Sequence, residues 1–321
     1  MGSTEAASDA VWGTVRAHSY PSRMTTAATL FELDAPTPVA PFRTQLLKWI
    51  GNKQRFAHEI AGYLPALDSG STYWEPFLGS GAVMGTLQPV RAVGSDGFLP
   101  LIGIWQTLHE DPDLLVSWYG ERWERYSAAS DRREAYEEIK ASYNAAPNAA
   151  DLLFLARSCY GGVVRFRAAD GYMSTPMGVH QPVSPHSFAK RVAIWHDRTG
   201  GAKFEHLDYR EAFASTLPGD VVYCDPPYTH TQTILYGAQS FDLQDLFRRI
   251  ADAKNRGVRV ALSIDGSKVT GTDELLHVGI PEGVFEREVL VNVGRSMLKR
   301  FQMEGQSLEQ HVVTDRLLLT Y

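Results

Sequence analysis

STYWEPFLGSGAVMGTLQPVRAVGSD, Ser71 to Asp96, decides how the rest of the chain is read. Ser71 to Trp74 reads as a short strand. Glu75 to Ala82 is a glycine-rich turn, a helix begins at about Ala82, and Ala92 to Asp96 reads as the next strand. Strand, glycine loop, helix and strand open a nucleotide-type α/β sheet. Glycine in the first turn lets backbone approach a ligand closely, although such turns also serve simply to reverse the chain. The loop is not a dinucleotide fingerprint, because Met84 stands where a third glycine belongs, and it lacks the G-K-[ST] ending of a phosphate loop. A nucleoside ligand without a pyrophosphate fits it better than NAD or ATP. Asp96, closing the second strand, is placed to accept from ribose hydroxyls or to cap the following turn.

A second apolar strand is predicted at VVYCDPPY, Val221 to Tyr228. Val221 to Cys224 has no polar alternation, as expected of a central strand covered on both faces. Pro226 and Pro227 lack ladder donors and stop it. The Asp225 carboxylate and the Pro226 carbonyl then project from the carboxyl end of the strand, where open α/β sheets bind ligands. Two adjacent acceptors suit a donor with two hydrogens, such as an exocyclic amino group, and Tyr228 offers a flat face for a planar base.

Outward from these two strands, residues 1–40 are small and polar and read as an N-terminal extension. Phe56, Ile60 and Leu64, four apart after Gly51, predict a loop entering a helix. Arg132 to Ala145 reads as an exposed, charge-laced helix. From Arg157 to Lys203 seven Lys or Arg face two Asp, so this stretch is basic although the chain carries a net charge of −6. The α/β pattern resumes at FEHLDY, and VNVGRSMLKR and HVVTDRLLLTY predict closing strands around a basic loop. No run approaches the roughly 20 apolar residues of a membrane span, and no signal pattern is seen, so a cytoplasmic location is expected. Cys159 and Cys224 make neither a disulfide framework nor a zinc spacing and read as core.

The chain resembles the Dam-like DNA adenine methylases, an S-adenosyl-L-methionine-dependent group. The resemblance rests on Lys48-Trp49-Ile50-Gly51-Asn52-Lys53, on Phe77-Leu78-Gly79-Ser80-Gly81 and on Asp225-Pro226-Pro227-Tyr228, in that order, and covers most of residues 41–321. It implies a Rossmann-like methyltransferase sheet, residues 41–101 and 202–321, carrying a largely helical target-recognition region at 102–201. It implies S-adenosyl-L-methionine as cofactor. Lys48, Trp49, Gly51 and Lys53 would line one side of its site, Glu75, Phe77, Gly79, Ser80 and Gly81 would wrap the methionine part, Asp96 would hold the ribose, and Asp208 and Tyr209 would meet the adenine ring. Asp208 also fits an Asx turn.

The same resemblance implies catalysis by Asp225, Pro226, Pro227 and Tyr228 on an adenine flipped out of double-stranded DNA. Arg157, Arg165, Arg167, Lys190, Arg191, Arg295, Lys299 and Arg300 are expected to meet phosphates. Two departures stand out: Phe98 replaces an asparagine two residues after Asp96, and Gly161, Arg167 and Ser174 stand where asparagines are usual after the recognition region. The acceptor pair alone also suits a cytosine amino group or an RNA amino group, and a silent DNA-binding or regulatory protein is a further alternative. A cognate restriction enzyme is an open partner. A monomer suffices for one strand at a time.

Overall fold

The computed structural model describes residues 36–167, 169–227, 241–265, 279–294 and 313–321. Tyr228, Arg295, Lys299, Arg300 and nearly all of the N-terminal extension lie outside the described residues. Strands β1 (Tyr73–Glu75), β2 (Ala92–Ser95), β3 (Ala202–Glu205), β4 (Val221–Cys224), β5 (Arg259–Asp265), β6 (Arg287–Gly294) and β7 (Val313–Leu319) form one sheet in the order β3-β2-β1-β4-β5-β7-β6. The first five run parallel, and β7 inserts antiparallel between β5 and β6. This is a Rossmann-like methyltransferase fold. From β1 the chain builds outward to β2 and β3, then returns to place β4 on the other side of β1. The crevice above the carboxyl ends of β1 and β4 is therefore the topological switch point, where such sheets bind ligands.

The apolar strands bury both faces because alternate side chains point opposite ways. Tyr73, Val221 and Tyr223 enter one core, with helices α1 (Ala57–Tyr63), α2 (Ala82–Leu87) and α3 (Leu99–Glu110). Trp74, Val222 and Cys224 enter the other, with α8 (Tyr209–Ser215) and α9 (Leu243–Asn255). Asp220 fixes the opposite end of the crevice strands. Its carboxylate accepts from the Thr72 amide at 2.8 Å, the Trp74 indole at 2.9 Å and the Leu217 amide at 2.9 Å.

Between β2 and β3 lie α4 (Pro112–Ala128), α5 (Arg132–Ala145), α6 (Ala149–Ser158) and α7 (Pro185–Arg198). Their starts are legible in the sequence as capping residues: Asp111, Asp131, Asn148 and Ser184 each accept a first-turn amide, with Pro112 and Pro185 just inside. These helices share the first core rather than forming one of their own. Trp195 of α7 meets Trp105 of α3 edge-on at 5.3 Å, and Tyr119 of α4 stacks on Phe188 of α7 at 4.1 Å. After α6 the chain doubles back, with Phe166 bridged to Met173 and Cys159 to Met177 in antiparallel fashion. No helix among the described residues is long and apolar enough to cross a membrane.

Candidate active site

The switch point opens into a cavity of about 540 Å³. Its floor is the loop after β1. Gly79 and Gly81 both have left-handed backbone, φ 48° and φ 60°, which a Cβ would strain. A Cβ on Gly81 would also lie 3.0 Å from the Trp105 ring. Trp105 itself donates to the Gly79 carbonyl at 3.1 Å, so the loop rests on a buried indole.

Thirteen of the expected residues line the cavity: Trp49, Gly51, Lys53, Glu75, Phe77, Gly79, Ser80, Asp96, Asp208, Tyr209, Asp225, Pro226 and Pro227. Gly81 sits beneath the wall as the N-cap of α2. Lys48 is not in the lining; its side chain packs under Gly162, where a Cβ would come within 2.8 Å. Burial and the nearby Arg157 and Arg191 lower the Lys48 ammonium pKa.

The carboxylates are held differently. Glu75 is 3% exposed, and one oxygen accepts from both the Tyr73 hydroxyl at 3.2 Å and the Met84 amide at 3.0 Å. Burial pushes its carboxyl up to about 8; the two donors oppose this, and nearby Asp225 adds to it. Asp96 accepts from the Gly79 amide and the Phe98 amide, each at 3.1 Å, so it ties the glycine loop to the end of β2. Burial raises it to about 6 against those two bonds. Asp225 receives the Lys53 ammonium at 3.1 Å, with both side chains largely buried. Lys53 thus joins the segment before α1 to the end of β4.

Asp208 caps α8 in a reciprocal pair with Glu211, and its carboxylate also accepts from the Arg210 guanidinium at 3.2 Å. The Asx-type turn is therefore real, and the same side chain still borders the cavity. Tyr209 stacks on Phe77 at 5.4 Å, and Phe241 meets both rings. The Tyr209 hydroxyl donates to Asp245 at 2.9 Å, and Arg210 and Arg248 join the same carboxylate, which is drawn down to about 2. Phe241 and Asp245 escaped the sequence reading because only the folded chain brings them beside Tyr209. Phe98 lines the cavity too and packs against Phe166 at 5.4 Å. Both cysteines are buried outside the lining, and burial pushes the Cys159 thiol up to about 12.

Among the expected phosphate contacts, Arg157 requires correction. It is 4% exposed, and its guanidinium donates to the Leu46 carbonyl at 2.5 Å and lies over the Phe188 ring. An arginine in a basic stretch reads as surface, but this one is committed to the protein interior. Arg191 is half-buried and donates to the Gln45 carbonyl at 3.1 Å. Arg165, Arg167 and Lys190 are exposed, with Arg167 paired to Asp170 and stacked on Tyr172.

The sheet order and an acidic, aromatic cavity at the switch point fit a methyltransferase. The chain belongs to the D12 class of N6 adenine-specific DNA methyltransferases, whose family model matches residues 49–282. It is 26% identical over 242 residues to the DNA N-6-adenine-methyltransferase of Escherichia phage P1, covering 72% of this chain but only 31% of that protein. Against the DNA adenine methylase of Vibrio cholerae it is 27% identical, covering 68% of this chain and 79% of the relative. Against the retron Ec67 DNA adenine methylase of Escherichia coli it is 30% identical, over 58% of this chain and 64% of the relative. The chain thus spans less than a third of the phage P1 protein.

Proposed function

We propose that the switch-point cavity binds S-adenosyl-L-methionine and presents its methyl group to the N6 amino group of an adenine flipped out of DNA. The observation that carries this is the placement of Asp225 and Pro226 at the end of β4, in the same cavity as Glu75 at the end of the neighbouring β1. The residues present suit that cofactor. Among the described residues five carboxylates and one lysine line the cavity, a balance that favours a cation over a nucleotide phosphate. Phe77, Tyr209 and Phe241 form an aromatic wall for a planar ring. Bound there, the cofactor supplies an electrophilic methyl on a sulfonium sulfur.

The protein's share is positioning. An adenine amino nitrogen is a poor nucleophile because its lone pair is delocalised into the ring. By accepting a hydrogen bond from each of its two N–H groups, the Asp225 carboxylate and the Pro226 carbonyl favour a pyramidal nitrogen with the lone pair aimed away from both acceptors. Lys53 holds the Asp225 carboxylate in place for that task. Good alignment of this kind is worth roughly 7–11 kcal/mol. The methylated nitrogen then loses one proton to water. Extruding the base costs roughly a few kcal/mol, part of which Tyr228 stacking returns. Arg165, Arg167, Lys190 and Arg191, with Arg295, Lys299 and Arg300 beyond the described residues, are the proposed phosphate contacts, and residues 102–201, which carry α4–α7 and the segment between α6 and α7, form the proposed target-recognition region.

Incubation with S-adenosyl-L-methionine and unmethylated DNA, then digestion to nucleosides and mass spectrometry, tests the whole reading. N6-methyladenine is expected. N4-methylcytosine would replace the base and keep the mechanism, and no methylated nucleoside would overturn the proposal.

A further inference from the structure

Among the described residues Glu75 is the most deeply buried carboxyl lining the cavity, and its setting is fixed. Two donors, Tyr73 and the Met84 amide, converge on one of its oxygens, so the group does not swing out to water. The groups around it are Tyr73 on its own strand, Tyr223, Cys224 and Asp225 on or after β4, and Lys53, whose ammonium lies on Asp225. Asp96, after β2, lines the same cavity. A carboxylate placed there adds a second negative charge beside Asp225 in a site shielded from solvent.

We infer that Glu75 is a proton-linked counter-charge by which the cavity distinguishes the cationic methyl donor from its neutral-sulfur product. The inference rests on the proposed cofactor. With the cavity free of a cation, Glu75 holds its proton at neutral pH, consistent with burial and the neighbouring Asp225 raising it to about 8. A positive ligand favours the carboxylate, and the proton passes from the Glu75 carboxyl to solvent. Methyl transfer moves the carbon–sulfur bonding pair onto sulfur and leaves a neutral thioether. Glu75 then recovers a proton from solvent, the attraction falls, and the product is released more readily.

The test is calorimetric titration of the full chain near neutral pH in two buffers of different ionisation enthalpy, with S-adenosyl-L-methionine and with S-adenosylhomocysteine. The donor should release up to one proton, the homocysteine form measurably less. The donor Kd should tighten by up to tenfold from about pH 6 to about pH 7, and the preference for donor over product should grow over the same range. In Glu75→Gln that growth should shrink to what Asp96, near 6 in the same cavity, and the ligand's own α-amino group contribute. Equal proton release for the two ligands, or a buffer-independent heat, overturns the inference while leaving the cofactor in place. Unchanged proton release in a folded Glu75→Gln overturns it as well. If that variant does not fold, the donor–product comparison on the native chain decides. Failure of S-adenosyl-L-methionine to bind at any pH instead sinks the cofactor assignment, and this inference with it.

Discussion

At the scale of single residues, the site depends on how each acid is held. Asp225→Ala removes one of the two proposed acceptors and should lower methyl transfer at least about a hundredfold, with cofactor binding still measurable by calorimetry. Near-native turnover would remove Asp225 from the mechanism. The same change removes the largely buried Lys53–Asp225 ion pair, so Asp225→Ala should also melt lower than the native chain. Glu75 and Asp96 titrate the other way from an exposed acid. Their ordinary values are 4.5 and 3.8, and in the folded chain they lie near 8 and 6. The folded state therefore binds more protons than the unfolded one across that interval. The resulting stability is intact below about pH 4 and is lost as pH rises through about 6 for Asp96 and about 8 for Glu75. The cofactor-free chain should melt a few degrees lower at about pH 8.5 than at about pH 5, with a flatter profile in Glu75→Gln. A profile unchanged by that substitution would show that Glu75 does not carry the effect.

At the scale of elements, α2 is pinned from both sides. A Cβ on Gly85 would lie 2.4 Å from the Trp195 ring, so Gly85→Ala forces α2 and α7 apart. The expected cost is roughly 1–3 kcal/mol, read as a lower denaturation midpoint. No loss would mean the indole moves freely. The strand–glycine loop–helix unit was legible because its signals are local: Gly79, Gly81 and the apolar run that follows. The strand itself begins two residues later than its sequence suggests, at Tyr73, because Thr72 serves Asp220 and the start of β4. The place of Asp225 at the carboxyl end of the sheet, on the cavity, was legible because two prolines mark the end of its strand. Arg157 was misread because nothing local distinguishes an arginine that serves interior carbonyls from one that meets solvent. The Tyr209–Asp245 bond joins α8 to α9 across 36 residues, and no short-range pattern announces it.

At the scale of the whole molecule, the proposed DNA face and the interior are separable by experiment. Arg165→Ala, on the exposed segment after α6, should weaken DNA binding and reduce its salt dependence by about one phosphate contact. Arg157→Ala should instead lower stability by roughly 1–3 kcal/mol and leave that salt slope unchanged in whatever protein remains folded. The reverse pattern would exchange their roles. A last consequence lies near the end of α1. The Thr37 amide donates to the Gly62 carbonyl at 2.9 Å, and the Tyr321 hydroxyl donates to the Tyr63 carbonyl at 3.1 Å. Residues 36 and 321 therefore flank the same turn of helix, close enough for a flexible linker of roughly ten residues, spanning about 16–19 Å, to join them. A circular permutant built that way and reopened near Asp170, at the exposed turn, should keep its sheet order while presenting two new chain ends where the native protein has a hairpin.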